Sequence, residues 1–331
     1  MMPELRTVYV VADLGDDGAL RPLTAEMVTA GRQLADAWSG ELVVLVLSAD
    51  GDAARDVAAF AGVDGVISAV SAALLPYTSG AWASAALAVI AGRHPAAVLF
   101  PGSIAGRDYA PRVAARMGAP LAADVSAISV PNGKLIVHRP VLGGRVQTAV
   151  EFVPDALPMM TIRPGSFPRA ERSGSAAPIE IVQIDDAMLD RRVQVIETRD
   201  HTPIGKSLTE AKRIVSGGRG LQGPDAFAML EELAAIMDAA VGASGAAVGA
   251  GWRSHDDQIG STGHSVAPSL YLAVGISGAP QHLVGMQGSE YIVAINRDPD
   301  APIFDVASFG IIGDLFQVVP ALIEELGRTP E

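Results

Sequence analysis

Residues 270–286 read LYLAVGISGAPQHLVGM, and this stretch indicates the fold more strongly than any other part of the chain. An apolar strand is followed by a turn of small residues and then by the start of a helix. The amides at a helix N-terminus carry partial positive charge, and small residues let a phosphate or a ring edge approach them. Gln281 and His282 are expected to offer donors at the same place. The pattern predicts an anionic ligand at the end of a strand.

Two neighbouring segments extend this prediction. Asn296 ends the next apolar strand, at the sheet edge where ligands collect in open α/β proteins. Gly218, Gly220 and Gly223 have the G-x-G-x-x-G spacing between an apolar strand and a helix. No acidic residue follows at the end of the next strand to bind a ribose. The three glycines therefore fit a pyrophosphate-binding turn and a simple tight turn equally well.

The first 120 residues alternate short apolar strands with helices. This alternation predicts a mainly parallel sheet with helices on both faces. Between Ala122 and Gln183 short strands, including Met159–Ile162 and Ile179–Val182, follow one another with little helix, and Asn132-Gly133 is a hairpin signal. We expect this region to be an antiparallel addition to the first domain.

A charged segment without clear periodicity separates the two halves of the chain at residues 185–208. Beyond it, the helical stripe in Pro224–Ala240 and the two apolar strands already described indicate a second α/β domain. We therefore predict an α/β protein of two domains, residues 1–203 and residues 204–331. The second is expected to be Rossmann-like.

Composition excludes several classes of protein. Hydrophobic residues make up 49% and charged residues 18% of the 331, which is typical of a folded chain rather than a disordered one. A net charge of -13 argues against nucleic acid as a partner, because phosphate backbones need a basic surface. The chain has no cysteine, which excludes disulfides, thiolate clusters and thiol catalysis. The 6 histidines form no i, i+4 pair and no H-x-x-E-H set, so a metal site is not indicated. The sequence also lacks a G-x-S-x-G motif, so nothing indicates a nucleophilic serine.

One stretch is long enough to cross a membrane. Gly65–Gly92 carries no charged residue, but Pro76–Gly80 divides it into two runs of about ten, a length typical of buried core elements. The first residues, Met1–Arg6, do not form a signal peptide before the strand that follows. We expect no membrane span and a cytoplasmic location.

The motifs resemble those of electron transfer flavoprotein alpha subunits. The match is densest in G-I-S-G-A-x-Q-H-x-x-G-M at 275–286, I-V-A-I-N-x-D at 292–298 and A-P-I-F at 301–304. Further similar motifs extend the resemblance over nearly the whole chain, at 215–220, 240–244, 258–263, 106–108, 121–124, 139–144 and 161–165.

The resemblance implies a heterodimer with a homologous beta subunit, which contacts the first domain of this chain and commonly carries AMP. It also implies one FAD on the second domain. In this chain Thr262 would place a hydroxyl near flavin N5, and His282 would lie near the pyrimidine edge. The implied FAD contacts are Arg219, Ser244, Ile259, Gly260, Ser261, Thr262, Ser277, Gly278, Ala279, Pro280, Gln281, His282, Asn296, Asp314 and Leu315.

The chain departs from the family pattern after Ser244. Gly245 stands where the family usually has an arginine that stacks over the ring and stabilises the reduced flavin. Arg253 and His264 are nearby candidates for a replacement charge. The departure bears on the redox properties rather than on the fold.

The resemblance implies an electron carrier that turns over no substrate of its own. Flavin dehydrogenases of the acyl-CoA dehydrogenase type, which act in fatty acid oxidation, would donate electrons, and a quinone reductase or another acceptor would take them. One alternative is a specialised or bifurcating carrier with a dedicated partner. A nucleotide-binding scaffold that has lost its redox function is another. An NAD-dependent dehydrogenase is a third, weakened by the absence of a ribose-binding acid and of a catalytic constellation.

Overall fold

The computed structural model describes residues 6–328, apart from 143, 145, 199–205 and 210. The chain divides into two compact units, residues 1–199 and residues 200–331. The boundary that the sequence predicts, near residue 203, lies outside the described residues.

The first unit is built on a parallel sheet of seven strands. The whole unit has ten described strands, seven in this sheet and three in a smaller one. They are β1 (Thr7–Val11), β2 (Glu41–Ser48), β3 (Gly65–Val70), β4 (Ala97–Pro101), β5 (Leu121–Val125), β6 (Ala127–Ser129), β7 (Ile136–Val141), β8 (Val146–Glu151), β9 (Met159–Ile162) and β10 (Ile179–Gln183). The seven strands lie in the order β10-β3-β2-β1-β4-β9-β5, and every pairing is parallel. Strands such as β2 and β4 are almost continuously apolar because helices cover both faces of the sheet.

Four α-helices connect strands of the first unit within the part of the chain that the structure describes. They are α1 (Leu23–Ala37), α2 (Ala53–Ala58), α3 (Ser79–Ile90) and α4 (Ile104–Met117). Helix α4 begins where the Ser103 hydroxyl accepts a hydrogen bond from the amide of Gly106, and it ends at Gly118, which has a left-handed backbone. The uncharged stretch Gly65–Gly92 forms β3 and α3, so it is a core segment as predicted. No helix among the described residues is long and apolar enough to span a membrane.

The antiparallel addition is smaller than the sequence predicts. Within the part of the chain that the structure describes, the antiparallel sheet consists of β6, β7 and β8. Strand β9 lies between β4 and β5 in the parallel sheet, and β10 is parallel to β3 at the edge of that sheet. The prediction for these two strands was wrong, because strand direction is set by partners that are distant in sequence. Full burial of all four residues of β9 is typical of an interior parallel strand.

The second unit is a six-stranded parallel sheet in the strand order of dinucleotide-binding folds. Its strands are β11 (Arg213–Gly217), β12 (Ala240–Ser244), β13 (Gln258–Ile259), β14 (Leu270–Val274), β15 (Tyr291–Asn296) and β16 (Phe309–Ile312). They lie in the order β13-β12-β11-β14-β15-β16 and all pair in parallel. The predicted Rossmann-like domain is confirmed. The order reverses between β11 and β14, so their carboxyl ends flank the crevice where this fold binds ligands.

Helices cover both faces of this second sheet. They are α5 (Phe227–Ile236), α6 (Gly245–Gly249), α7 (Pro280–Leu283) and α8 (Leu315–Gly327). The helix predicted over Pro224–Ala240 is shorter at both ends. Asp238 takes a left-handed backbone with φ 54°, and the chain enters β12 at Ala240. Apolar clusters pack on the two faces of the sheet, one around Tyr271 and Met286, the other around Phe227 and Leu230.

Candidate cofactor-binding site

A cavity of about 770 Å³ opens at the carboxyl ends of the strands in the second unit. Its walls are the turns that follow β11, β12, β13, β14 and β15. It therefore lies at the point where the strand order reverses, as the sequence predicts for a ligand site. Its volume is within the range of about 300–1,000 Å³ that is typical of small-molecule sites.

Most of the predicted contact residues line this cavity. Eleven of the fifteen do so: Arg219, Ser244, Ile259, Gly260, Ser261, Thr262, Ser277, Ala279, Gln281, His282 and Asn296. They come from five separate segments, and the parallel sheet brings these together because it aligns the carboxyl ends of its strands.

Four predicted residues are described by the structure but lie outside the cavity lining. Gly278 packs against the backbone of the segment at Ile303, where a Cβ would lie 2.2 Å from the Ile303 amide nitrogen. Pro280 is the first residue of α7. Asp314 caps α8, where its carboxylate accepts a hydrogen bond from the amide of Phe316. Leu315 is the first residue of α8, and its side chain is buried. Their contact with a cofactor stays a prediction.

Ten residues of the lining were not among the fifteen predicted contacts, although the sequence analysis had singled out Gly220 and Gly245 for other reasons. The ten are Gly220, Gly245, Ala246, Gln258, Gly275, Ile276, Arg297, Asp298, Ala301 and Pro302. Most of these ten residues belong to the sequence motifs that carry the family resemblance or stand next to them.

The glycines after β11 allow two turns to touch backbone to backbone. A Cβ on Gly218 would lie 2.3 Å from the carbonyl oxygen of Gly275, and one on Gly220 would lie 2.7 Å from the Gly275 Cα. Gly223 meets nothing within 4 Å. Helix α5 begins only at Phe227, so the G-x-G-x-x-G spacing does not open directly into a helix. The first two glycines shape the cavity mouth through close packing.

Two arginines contribute positive charge to the cavity lining. Arg219 and Arg297 both line it, and within the described part of the chain neither guanidinium forms an ion pair. Asp298 also lines it and caps the turn after β15, where its carboxylate accepts from the amide of Asp300. A planar guanidinium suits a phosphate oxygen pair. The two arginines can therefore balance a diphosphate.

Gly245 leaves the wall beside Gln258 open. It begins α6, its backbone is not left-handed, and a Cβ would lie 3.6 Å from the side-chain Cδ of Gln258, an ordinary contact. Arg253, a candidate replacement cation, is paired with Glu231 and Asp257 instead and is not part of the lining. His264 lies outside the lining as well. A Cβ at this position therefore makes no clash, and neither candidate cation lines the cavity.

The hydroxyl of Thr262 has a defined partner at the cavity wall. Its oxygen accepts a hydrogen bond of 2.8 Å from Nε2 of Gln258. Oε1 of Gln258 lies 3.2 Å from Nδ1 of His255. Thr262 itself is exposed to the cavity, whereas Gln258 is buried.

His282 is held differently from what the sequence suggests. Its Nδ1 lies 3.0 Å from the carbonyl oxygen of Ile259, and its Nε2 lies 3.0 Å from the hydroxyl of Tyr271. A carbonyl only accepts, so Nδ1 carries the proton and Nε2 accepts from the tyrosine. Burial lowers the pKa of His282 to about 4, with the hydrogen bond to Ile259 acting in the opposite direction. Both ring nitrogens are engaged within the protein, so the expected donor at the cavity edge is not provided by this side chain.

The lining suits a dinucleotide cofactor. FAD has a diphosphate, a polyhydroxy chain and two flat ring systems. Arg219 and Arg297, several hydroxyl and amide side chains, and apolar walls that include Ile259 and Ile276 match these parts. Among the described residues no cluster could hold a metal ion. Fold and site define a two-domain α/β protein with a dinucleotide-type cofactor cavity in its second unit.

Comparison with known proteins identifies the family. Residues 8–187 match the electron transfer flavoprotein domain, and residues 207–287 match the electron transfer flavoprotein FAD-binding domain. The chain belongs to the electron transfer flavoprotein alpha subunit family, and its role is in electron transfer.

Relatives match over nearly their full length. The electron transfer flavoprotein subunit alpha of Bacillus subtilis is 40% identical over 322 residues, which cover 97% of each chain. The subunit alpha of Paracoccus denitrificans is 41% identical over 312 residues, covering 94% of this chain and 97% of the relative. Protein FixB of Clostridium saccharobutylicum is 36% identical over 324 residues, covering 97% and 96% respectively.

Proposed function

We propose that this chain binds one FAD non-covalently in the cavity of its second unit. The observation that carries the proposal is the position of that cavity, at the carboxyl ends of β11 and β14 with Arg219 and Arg297 in its walls. The absence of cysteine from the sequence removes a thioether link to the flavin. The match to the FAD-binding domain of the family, residues 207–287, covers the cavity segments that precede β15.

Different residues of the lining would bind different parts of the cofactor. Arg219 and Arg297 would balance the diphosphate, and the hydroxyl and amide groups of Ser277, Gln281 and Asn296 would bind the polar chain. When bound, the flavin supplies the electron chemistry. Thr262 would donate a hydrogen bond toward the ring, and such a bond favours the reduced form because negative charge develops there. His282 would remain neutral and keep the Ile259 loop in place.

The proposed partners follow from the family. Alpha subunits pair with a beta subunit, and we propose that the first unit of this chain contacts that subunit, which would carry AMP. Electrons would come from flavin dehydrogenases of the acyl-CoA dehydrogenase type and would leave to a quinone reductase or a similar acceptor. In this scheme the chain is a carrier without substrate turnover of its own. A cytoplasmic location stays a prediction.

Cofactor content tests the proposal. The chain is co-expressed with its beta subunit, the pair is purified, and the cofactor is released with acid and identified by absorption and chromatography. We expect one FAD for each heterodimer. A colourless pair that takes up no added FAD would contradict the proposal and favour a nucleotide-binding scaffold.

The electron donor is tested separately. An acyl-CoA dehydrogenase with its substrate should reduce the FAD-loaded pair, which is followed by the loss of flavin absorbance. An FAD-loaded pair that general dehydrogenases cannot reduce would support a specialised carrier with a dedicated partner.

A further inference from the structure

Gln258 stands between the cavity and the interior of the second unit. It begins β13, only 7% of it is exposed, and part of it lines the cavity. Its side-chain Nε2 lies 2.8 Å from the hydroxyl oxygen of Thr262, four residues further along. Gln258 can therefore orient the Thr262 hydroxyl from the buried side of the cavity wall.

The chemistry of the two groups fixes the direction of the bond. An amide NH₂ group can only donate, while a threonine hydroxyl has one proton and two lone pairs. When Gln258 donates to the Thr262 oxygen, the hydroxyl proton has to point elsewhere. Thr262 faces the cavity, so its proton is free to be donated into the cavity.

A second contact concerns the orientation of the Gln258 side-chain amide. Oε1 of Gln258 lies 3.2 Å from Nδ1 of His255, which donates to it when Nδ1 carries the proton. Because the two ends of an amide have opposite hydrogen-bonding character, this tautomer of His255 favours the orientation in which the NH₂ end faces Thr262. Gly245 adds no competing group on the neighbouring side, since nothing extends from its Cα.

We propose that Gln258 is a positioning residue that holds Thr262 as a hydrogen-bond donor toward the bound cofactor, with His255 orienting the Gln258 amide. The inference rests on the proposed function, because the acceptor is the flavin. It goes beyond it by assigning the donor state of Thr262 to residues that need not touch the ring.

A double-mutant cycle on the reduction potential tests the proposal. The potential of the FAD-loaded heterodimer is measured for the wild type, Gln258→Met, Thr262→Ala and the double variant. Methionine keeps the length of glutamine and removes the donor. Gln258→Met should make the flavin about threefold harder to reduce, a shift of about 30 mV at 59 mV per tenfold change for one electron. In the Thr262→Ala background the same substitution should have no effect.

Two further variants sharpen the result. Thr262→Ser keeps the hydroxyl, so Gln258→Met should again lower the potential in that background. Gln317→Met, the same exchange at an exposed position on α8, should leave the potential unchanged. Equal shifts from Gln258→Met with and without the Thr262 hydroxyl would overturn the inference, as would the absence of a shift in both. A wild-type pair that binds no FAD would contradict the proposed function, and the inference with it, whereas an additive cycle in an FAD-loaded pair contradicts the inference alone.

Discussion

The hydroxyl of Tyr271 lies 3.0 Å from Nε2 of His282, and both side chains are buried. Tyr271 stands near the beginning of β14, whereas His282 is in α7, after the strand and its turn. Burial raises the pKa of Tyr271, so its hydroxyl keeps the proton that it donates. The opposite side of the imidazole binds the Ile259 carbonyl, and the amide of Ser261 donates to the Gln281 carbonyl at 2.8 Å. The pair thus ties the Thr262 loop to α7.

Tyr271→Phe should destabilise the second unit. The change removes the donor and leaves Nε2 of His282 as a buried acceptor without a partner, which costs about 1–3 kcal/mol. The urea midpoint of the heterodimer, followed by circular dichroism, measures the loss. Tyr291→Phe is the matched control, because Tyr291 is exposed, and it should change stability by less than about 0.5 kcal/mol. Equal midpoints for the two variants would show that the bond contributes nothing.

The imidazole of His282 should stay neutral well below the usual histidine range. Burial lowers its folded-state pKa to about 4, below the ordinary histidine value of 6.5. Between pH 6.5 and pH 4 this histidine is therefore protonated in the unfolded chain but neutral in the folded one. As the pH falls through that window, this difference lowers the free energy of unfolding. Nitrogen-15 NMR of the histidine-labelled pair should show Nδ1 protonated and Nε2 unprotonated at pH 5.5. A doubly protonated ring at that pH would contradict the assignment.

Gly218→Ala should weaken FAD binding by at least about tenfold. Its Cβ would lie 2.3 Å from a backbone oxygen of Gly275, and backbone cannot move aside as a flexible side chain can. Overpacking of this kind costs about 1–3 kcal/mol. Gly223→Ala is the control, since nothing lies within 4 Å of its Cβ position. Fluorescence titration with FAD compares the two variants, and similar affinities would show that the two turns need not pack so closely.

Gly245→Arg should raise the first reduction potential of the bound flavin. A cation about 4 Å from developing negative charge contributes up to about 4 kcal/mol at an effective dielectric near 20, and solvent reduces this to about 1–3 kcal/mol. At 59 mV per tenfold change the shift is about 40–130 mV. The backbone of Gly245 is not left-handed, and a Cβ there would make only ordinary contacts with Gln258.

Potentiometry of the FAD-loaded Gly245→Arg pair checks this expectation. An introduced alanine, Gly245→Ala, controls for the loss of glycine itself and should leave the potential near the wild-type value. A folded arginine variant whose potential stays constant or falls would show that another group already supplies the charge. Arg253 is a poor candidate for that group, because Glu231 and Asp257 already pair with it.

The parallel cores and the sheet edge at which the cavity opens could be predicted from the sequence, because both depend on local pattern. Apolar runs such as β2 and β14 identify buried strands, and the turn after β14 falls at a sheet edge wherever its neighbours pair. The directions of β9 and β10 could not be predicted in this way. Met159–Ile162 pairs with β4 and β5, and nothing in its four residues specifies those partners.

Side-chain directions within the site were also beyond local pattern. His282 stands among residues that line the cavity, but its ring turns toward Tyr271, eleven positions earlier in the chain. Gln258 belongs to the motif at 258–263, but its sequence gives no sign of its contact with Thr262, which forms only when the loop is folded. Arg297 was missed for a similar reason. Sequence indicates where a strand ends, whereas packing decides which side chains face the crevice.

The crystal structure of the FAD-loaded heterodimer tests the central claim most directly. The account predicts one FAD in the cavity at the carboxyl ends of β11 and β14, with its diphosphate beside Arg219 or Arg297 and its ring beside Thr262. FAD bound elsewhere, on the first unit or wholly on the beta subunit, with this cavity empty, would contradict the account.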